Sequence, residues 1–151
     1  MNRVVIIGSG NLAEALARAL AAARGLQLVQ IHARNEERGR EVARIAGCAW
    51  SGDPAALAPA DLYLIAVSDR AVAEVAERLP IPPGAAVAHT AGSVPMEAIP
   101  AKFARRGVFY PMQTFTKGRP VDFRPIPIFL EASTPELLAE LEEVARRLSD
   151  R

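Results

Sequence analysis

The chain has 151 residues, half of them hydrophobic and 23% charged, with a formal net charge of +1, so it is long enough for one domain with a sizeable core and carries no charge excess that would suit nucleic acid or a membrane surface. Its single cysteine, Cys48, excludes an internal disulfide framework and suits a reducing cytoplasm. No apolar run approaches the length of a membrane span, and the N-terminus leads straight into a core-type strand with no signal peptide, so a cytoplasmic location is expected.

Residues 4–7 (Val-Val-Ile-Ile) form a continuous β-branched run, the pattern of a strand buried on both faces as in a parallel sheet. Gly8-Ser9-Gly10 interrupts it, and Leu12, Ala15, Leu16, Ala19 and Leu20 follow at helical spacing. In this strand–turn–helix context Gly8-x-Gly10-x-x-Ala13 reads as a dinucleotide-binding fingerprint with alanine in its third position. Gly8 makes the turn, Gly10 leaves room for a pyrophosphate against the backbone, and Ala13 lets helix and strand pack closely. Ser9, Asn11 and Leu12 complete the loop, whose free N–H groups at the positive end of the helix dipole face the phosphates.

Arg24-Gly25 ends this helix, and residues 26–31 form a second strand whose end decides the cofactor. An enzyme selecting NAD places Asp or Glu there, about 20 residues past the glycines, on the ribose hydroxyls. This chain reads His32-Ala33-Arg34-Asn35 instead. Arg34 would attract a 2′-phosphate, with Asn35 and Arg38 as helpers, so NADP is expected over NAD. His32 is expected beside the adenosine rather than in catalysis.

A helix over 36–46 closes at Gly47, and residues 48–50 form a short third strand in which Cys48 serves as a small hydrophobe. Asp53 and Pro54 read as the N-cap and first residue of a helix. Residues 61–67 form the fourth strand, ending in Ser68-Asp69. In a doubly wound sheet the order reverses between the first and fourth strands, and ligands sit outside their C-terminal ends. Val67, Ser68 and Asp69 are therefore expected along the cofactor, and helix capping is a compatible use of Ser68 and Asp69.

A helix over 70–79 is broken by Pro80, and a fifth strand over 85–88 opens into His89-Thr90-Ala91-Gly92-Ser93, where a nicotinamide ring would lie. His89 is the candidate catalytic residue, an acid or base at the hydride-transfer carbon; a capping or core-edge role suits it equally. Thr90 is a candidate cofactor contact, and Gly92 allows the backbone to approach a ligand. A sixth strand over 107–110 leads into Pro111-Met112-Gln113-Thr114-Phe115, then the exposed basic turn Lys117-Gly118-Arg119. Residues 125–131 form a further strand that Pro127 confines to a sheet edge. Thr134-Pro135-Glu136 caps a last helix with Leu137, Leu141, Val144 and Leu148 on one face, and apolar surface left exposed there would favour a homodimer. The expected architecture is α/β: a doubly wound parallel sheet of Rossmann type, order 3-2-1-4-5-6, with an extra edge strand. No metal site is expected.

Gly8-Ser9-Gly10-Asn11-Leu12-Ala13 resembles the opening of pyrroline-5-carboxylate reductases and of deazaflavin-dependent NADP reductases. Arg34 falls where those enzymes often bind the 2′-phosphate, and Ala66-Val67-Ser68-Asp69 replaces their Val-Lys-Pro. His89-Thr90-Ala91-Gly92-Ser93, the stretch 108–115 and the stretch 126–131 together resemble a bacterial Rossmann-like family, domain of unknown function 2520. Prephenate dehydrogenases are more distantly similar and hold substrate with loops corresponding to 89–93 and 110–113, which points to His89 and Gln113. The resemblance implies an NADP-binding domain of an oxidoreductase that passes a hydride between NADP(H) and a small imine, ketone or hydroxy acid. It also implies that relatives continue into a helical C-terminal domain, absent from these 151 residues, that completes the substrate pocket and a dimer. The alternative, suggested by Ser68-Asp69 in place of Lys-Pro, is a dinucleotide-binding sensor or regulatory module without chemistry.

Overall fold

The structure is a computed structural model, and it describes residues 1–150. Its strands are β1 (Arg3–Ile7), β2 (Gln27–His32), β3 (Ala49–Ser51), β4 (Leu62–Ile65), β5 (Ala86–His89), β6 (Arg106–Pro111) and β7 (Ile128–Ala132). Its helices are α1 (Asn11–Ala22), α2 (Glu36–Ala46), α3 (Val72–Arg78) and α4 (Pro135–Arg146). Among the described residues the seven strands make one sheet in the order β3-β2-β1-β4-β5-β6-β7. The first six run parallel, and β7 is antiparallel to β6, pairing Gly107 with Ala132 and Pro111 with Ile128. This is the expected Rossmann-like order with its extra edge strand, and the order reverses between β1 and β4.

Strand β1 sets the two layers of the core, because its side chains alternate. Val4 and Ile6 pack with Leu16 and Leu20 of α1, Val42 of α2 and Leu137, Leu141 and Val144 of α4. Val5 and Ile7 pack on the other face with Val75 and Ala76 of α3, and with Ile99 and Phe103. Both faces are dry, which is why the strand reads as a continuous apolar run. The apolar stripe of α4 is spent on this core rather than left exposed; the large exposed apolar side chains are instead Ile45, Met112 and Phe129. No helix among the described residues is long and apolar enough to cross a membrane.

Several boundaries differ from the sequence reading. Asp53 does cap a turn, accepting the Ala55 N–H at 3.0 Å, but only the single 3-10 turn Pro54–Ala56 follows. Pro59 removes an N–H and disfavours the helical conformation at Ala58, so no further turn forms. The helix expected over 70–79 begins as a 3-10 turn, Asp69–Ala71, before α3.

The connection from β6 to β7, residues 112–127, contains no helix. It crosses α1 as a strap held by a stacked pair, Phe115 and Phe123, with ring centroids 5.6 Å apart. Its Gly118 N–H donates to the Glu14 carboxylate, which is only 2% exposed and also accepts from Arg38 at 2.8 Å and Arg18 at 3.2 Å. Burial alone would raise the Glu14 carboxyl, but the bonds from Arg38, Arg18 and Gly118 outweigh it and hold it below its ordinary value.

Candidate functional site

The turn between β1 and α1 uses its two glycines for different reasons. Gly8 adopts φ +125°, and a Cβ there would sit 2.2 Å from the Ala66 carbonyl oxygen, so the fold itself demands glycine. Gly10 adopts φ −78°, open to any residue, and a Cβ there would meet nothing within 4 Å. The chain's own packing does not require glycine at position 10. Gly10 is also the N-cap of α1 and offers no side-chain cap, so the first-turn N–H groups of Asn11 and Leu12 lack an intrahelical acceptor at the positive end of the dipole. Ala13 is fully buried, where a larger side chain would push α1 off the sheet.

A cleft of about 460 Å³ opens at this turn, at the switch point of the sheet. Gly8, Ser9, Gly10, Asn11 and Leu12 form one wall, with Val67 and Ser68 across from them. Its far end is built from His32, Ala33 and Arg34 after β2, and from Ala71, Val75, Arg78 and Leu79 along α3. Two arginines line the cleft and no carboxylate does. Among the described residues Arg34 makes no ion pair or hydrogen bond. His32 is 4% exposed and its Nδ1 has no partner. Burial pushes the His32 imidazole down from its ordinary value, the charge of Arg78 pushes the same way, and Asp53 opposes both.

The remaining sequence candidates lie outside the cleft lining. Asn35 caps α2, its Oδ1 accepting the Arg38 N–H at 3.0 Å. Arg38 is held by Glu14 at 2.8 Å and Glu41 at 2.7 Å, so its guanidinium is committed to the α1–α2 contact. Asp69 accepts the Ser93 hydroxyl at 2.9 Å, tying together the loops after β4 and β5. Thr90 is buried and donates to the Ile65 carbonyl at 3.4 Å. Gly92 makes room for protein rather than ligand, since a Cβ there would lie 2.4 Å from Tyr110 Cε2. Gln113 is exposed.

His89 is fully buried, and both ring nitrogens are engaged by main chain. Nδ1 accepts the Ala91 N–H at 3.1 Å, which puts the ring proton on Nε2, 3.1 Å from the Pro95 carbonyl it donates to. Burial lowers its proton affinity, and the Pro95 contact only partly offsets that. In this geometry the ring braces the 89–95 loop and offers no nitrogen to a reacting group.

Sequence reasoning did not anticipate the α3 wall. Ala71, Val75 and Leu79 fall at i, i+4 and i+8, which reads as plain core, and Arg78 reads as a solvated last-turn cation. The available signal was position, because α3 follows the strand at the switch point.

The sequence profile of the family described as "NADP oxidoreductase coenzyme F420-dependent" matches residues 3–90. No curated protein matches the chain. Among solved structures, a Bacteroides fragilis protein provisionally named an NADP oxidoreductase is 42% identical at TM-score 0.91, over 99% of this chain and 59% of that one. Arogenate dehydrogenase from Synechocystis (20% identity, TM-score 0.82) is matched over 97% of this chain and 56% of its own. Prephenate dehydrogenase from A. aeolicus, solved with hydroxyphenyl propionate and NAD+ (14% identity, TM-score 0.83), is matched over 99% and 58%. These last two establish likeness of fold alone. The chain thus spans 56 to 59% of the length of these three proteins.

Proposed function

The chain belongs to the family described as coenzyme F420-dependent NADP oxidoreductases, and from that membership we propose that it is the NADP(H)-binding domain of an oxidoreductase acting on a small imine, ketone or hydroxy acid. Gly10 carries the reading. The fold leaves that position free, yet it holds glycine beside unpartnered N–H groups in an acid-free cleft. A pyrophosphate against the backbone accounts for all three features.

The residues fit the rest of the nucleotide. Val67, Ala71, Val75 and Leu79 give the apolar walls that an adenine ring needs, and Arg34 supplies the unpaired cation for a 2′-phosphate. Bound NADPH supplies the hydride, and the chain binds, orients and shields it. The nicotinamide end then falls over the C-terminal ends of β4 and β5, near Ser68 and the loops 89–93 and 110–113. There the substrate meets Gln113 rather than His89. We read the motifs of 89–93, 108–115 and 126–131 as those of domain of unknown function 2520, in a cytoplasmic protein.

Calorimetric titration with NADPH and with NADH tests the cofactor. The expected result is NADPH binding at least tenfold tighter, about 1.4 kcal/mol. Equal affinities would overturn the choice of NADP, and binding of neither would overturn the dinucleotide reading. The engagement of both His89 nitrogens favours one other reading, a nucleotide sensor without chemistry. NADPH that binds tightly and is never oxidised by any imine, ketone or 2-oxo acid would select it.

A further inference from the structure

The far end of the cleft holds a second cation. Arg78, in the last turn of α3, lines the same cavity as Arg34, from the opposite side of the switch point. Among the described residues neither arginine side chain has an ion pair or a hydrogen bond, and these two are the cations that line the cleft. Two like charges that share an acid-free cavity repel each other unless an anion lies between them. The same end contains the buried His32, whose Nδ1 has no partner. Chain packing normally satisfies such an atom, so the cavity is short of polar partners as well as of negative charge.

We propose that Arg78 and Arg34 together clamp the phosphate on the adenosine ribose, making Arg78 a second determinant of NADP selection; this rests on the dinucleotide reading given above. The phosphate is a dianion near neutral pH and accepts at three oxygens, so one guanidinium leaves acceptors unfilled. Arg34 approaches from the β2 side and Arg78 from the α3 side. His32 lines the same cavity, its proton affinity lowered by burial and by the Arg78 charge, and offers a ring nitrogen to the ribose without adding a third positive charge. Asp53, on the neighbouring turn, lies outside the cleft lining and is occupied in capping Ala55.

The test is calorimetric titration of the full chain with NADPH and with NADH, for the wild type and for Arg34→Ala, Arg78→Ala and Arg78→Lys. Arg78 is exposed, and thermal unfolding checks that each variant remains folded. Arg78→Ala should weaken NADPH roughly tenfold and leave NADH unchanged. Arg78→Lys should keep part of the preference, since the charge stays and the forked donor is lost. An equal loss for both nucleotides would place Arg78 on the adenine or pyrophosphate and overturn the clamp. An unaltered NADPH preference in Arg78→Ala, with that preference abolished in Arg34→Ala, would overturn the clamp while leaving the cofactor reading intact. A wild type that binds neither nucleotide, or prefers NADH, would overturn both.

Discussion

Gly8 and Gly10 belong to one motif, yet substitution should separate them. Gly8→Ala forces a Cβ onto the Ala66 carbonyl at a positive φ, and is expected to cost about 3 kcal/mol or more in urea unfolding. Gly10→Ala meets nothing, so stability should stay within about 0.5 kcal/mol of the wild type while NADPH binding falls at least tenfold. A Gly10→Ala chain with unchanged affinity would remove the main support for the pyrophosphate site. The sequence spacing was enough to find this turn, because strand, glycines and helix are adjacent in the chain. The motif also divided the two glycines, Gly8 for the turn and Gly10 for the ligand, but it did not show what the turn packs against, because the atom that dictates Gly8 comes from residue 66. The same limit applies to His89, whose partners Ala91 and Pro95 are close in sequence but reach the ring only through the loop's path.

The elements were legible in type and less so in extent. Continuous apolar runs and caps located β1, β2, β4, α1, α2 and α4, whereas the stop after the single turn at Pro54–Ala56 follows from Pro59 and the split start of α3 had no signal. The strap over α1 was not legible at all. Lys117-Gly118-Arg119 has the composition of a solvated basic turn, yet its middle N–H bonds a carboxylate 104 residues away. Glu14→Gln leaves Arg38 without its buried partner and is expected to cost roughly 2–3 kcal/mol at pH 7. The Glu14 carboxyl sits below its ordinary value of 4.5, so its contribution is complete above that pH and is lost as pH falls through the lower folded value. The gap in urea midpoint between wild type and Glu14→Gln should therefore narrow in acid. A gap that is constant from pH 7 to pH 3 would show that the carboxylate's charge is not what holds the strap.

At the scale of the molecule, two rules about open α/β sheets were sufficient for the strand order: right-handed crossovers and reversal at the switch point. The antiparallel sense of β7 had no comparable signal, since Pro127 marks an edge without giving a direction. Both histidines are buried with proton affinities pushed below the ordinary 6.5, so the unfolded chain binds more protons than the folded one in the range just under that pH. Stability should therefore drop as pH falls from 7 to 5.5, and the drop should shrink in His89→Asn, which can keep the acceptor for the Ala91 N–H. A flat urea midpoint across that range would contradict the neutral burial of these rings. The match to the family ends at residue 90, but the layer covering β1 and α1 is finished by Phe109, Phe115, Phe123, Leu137 and Leu141. The segment that carries the glycine turn thus does not contain the whole of its own core. Anyone wishing to transplant this turn as a cassette would have to carry the distal strands and final helix with it, because the side chains that finish its covering layer come from beyond residue 90.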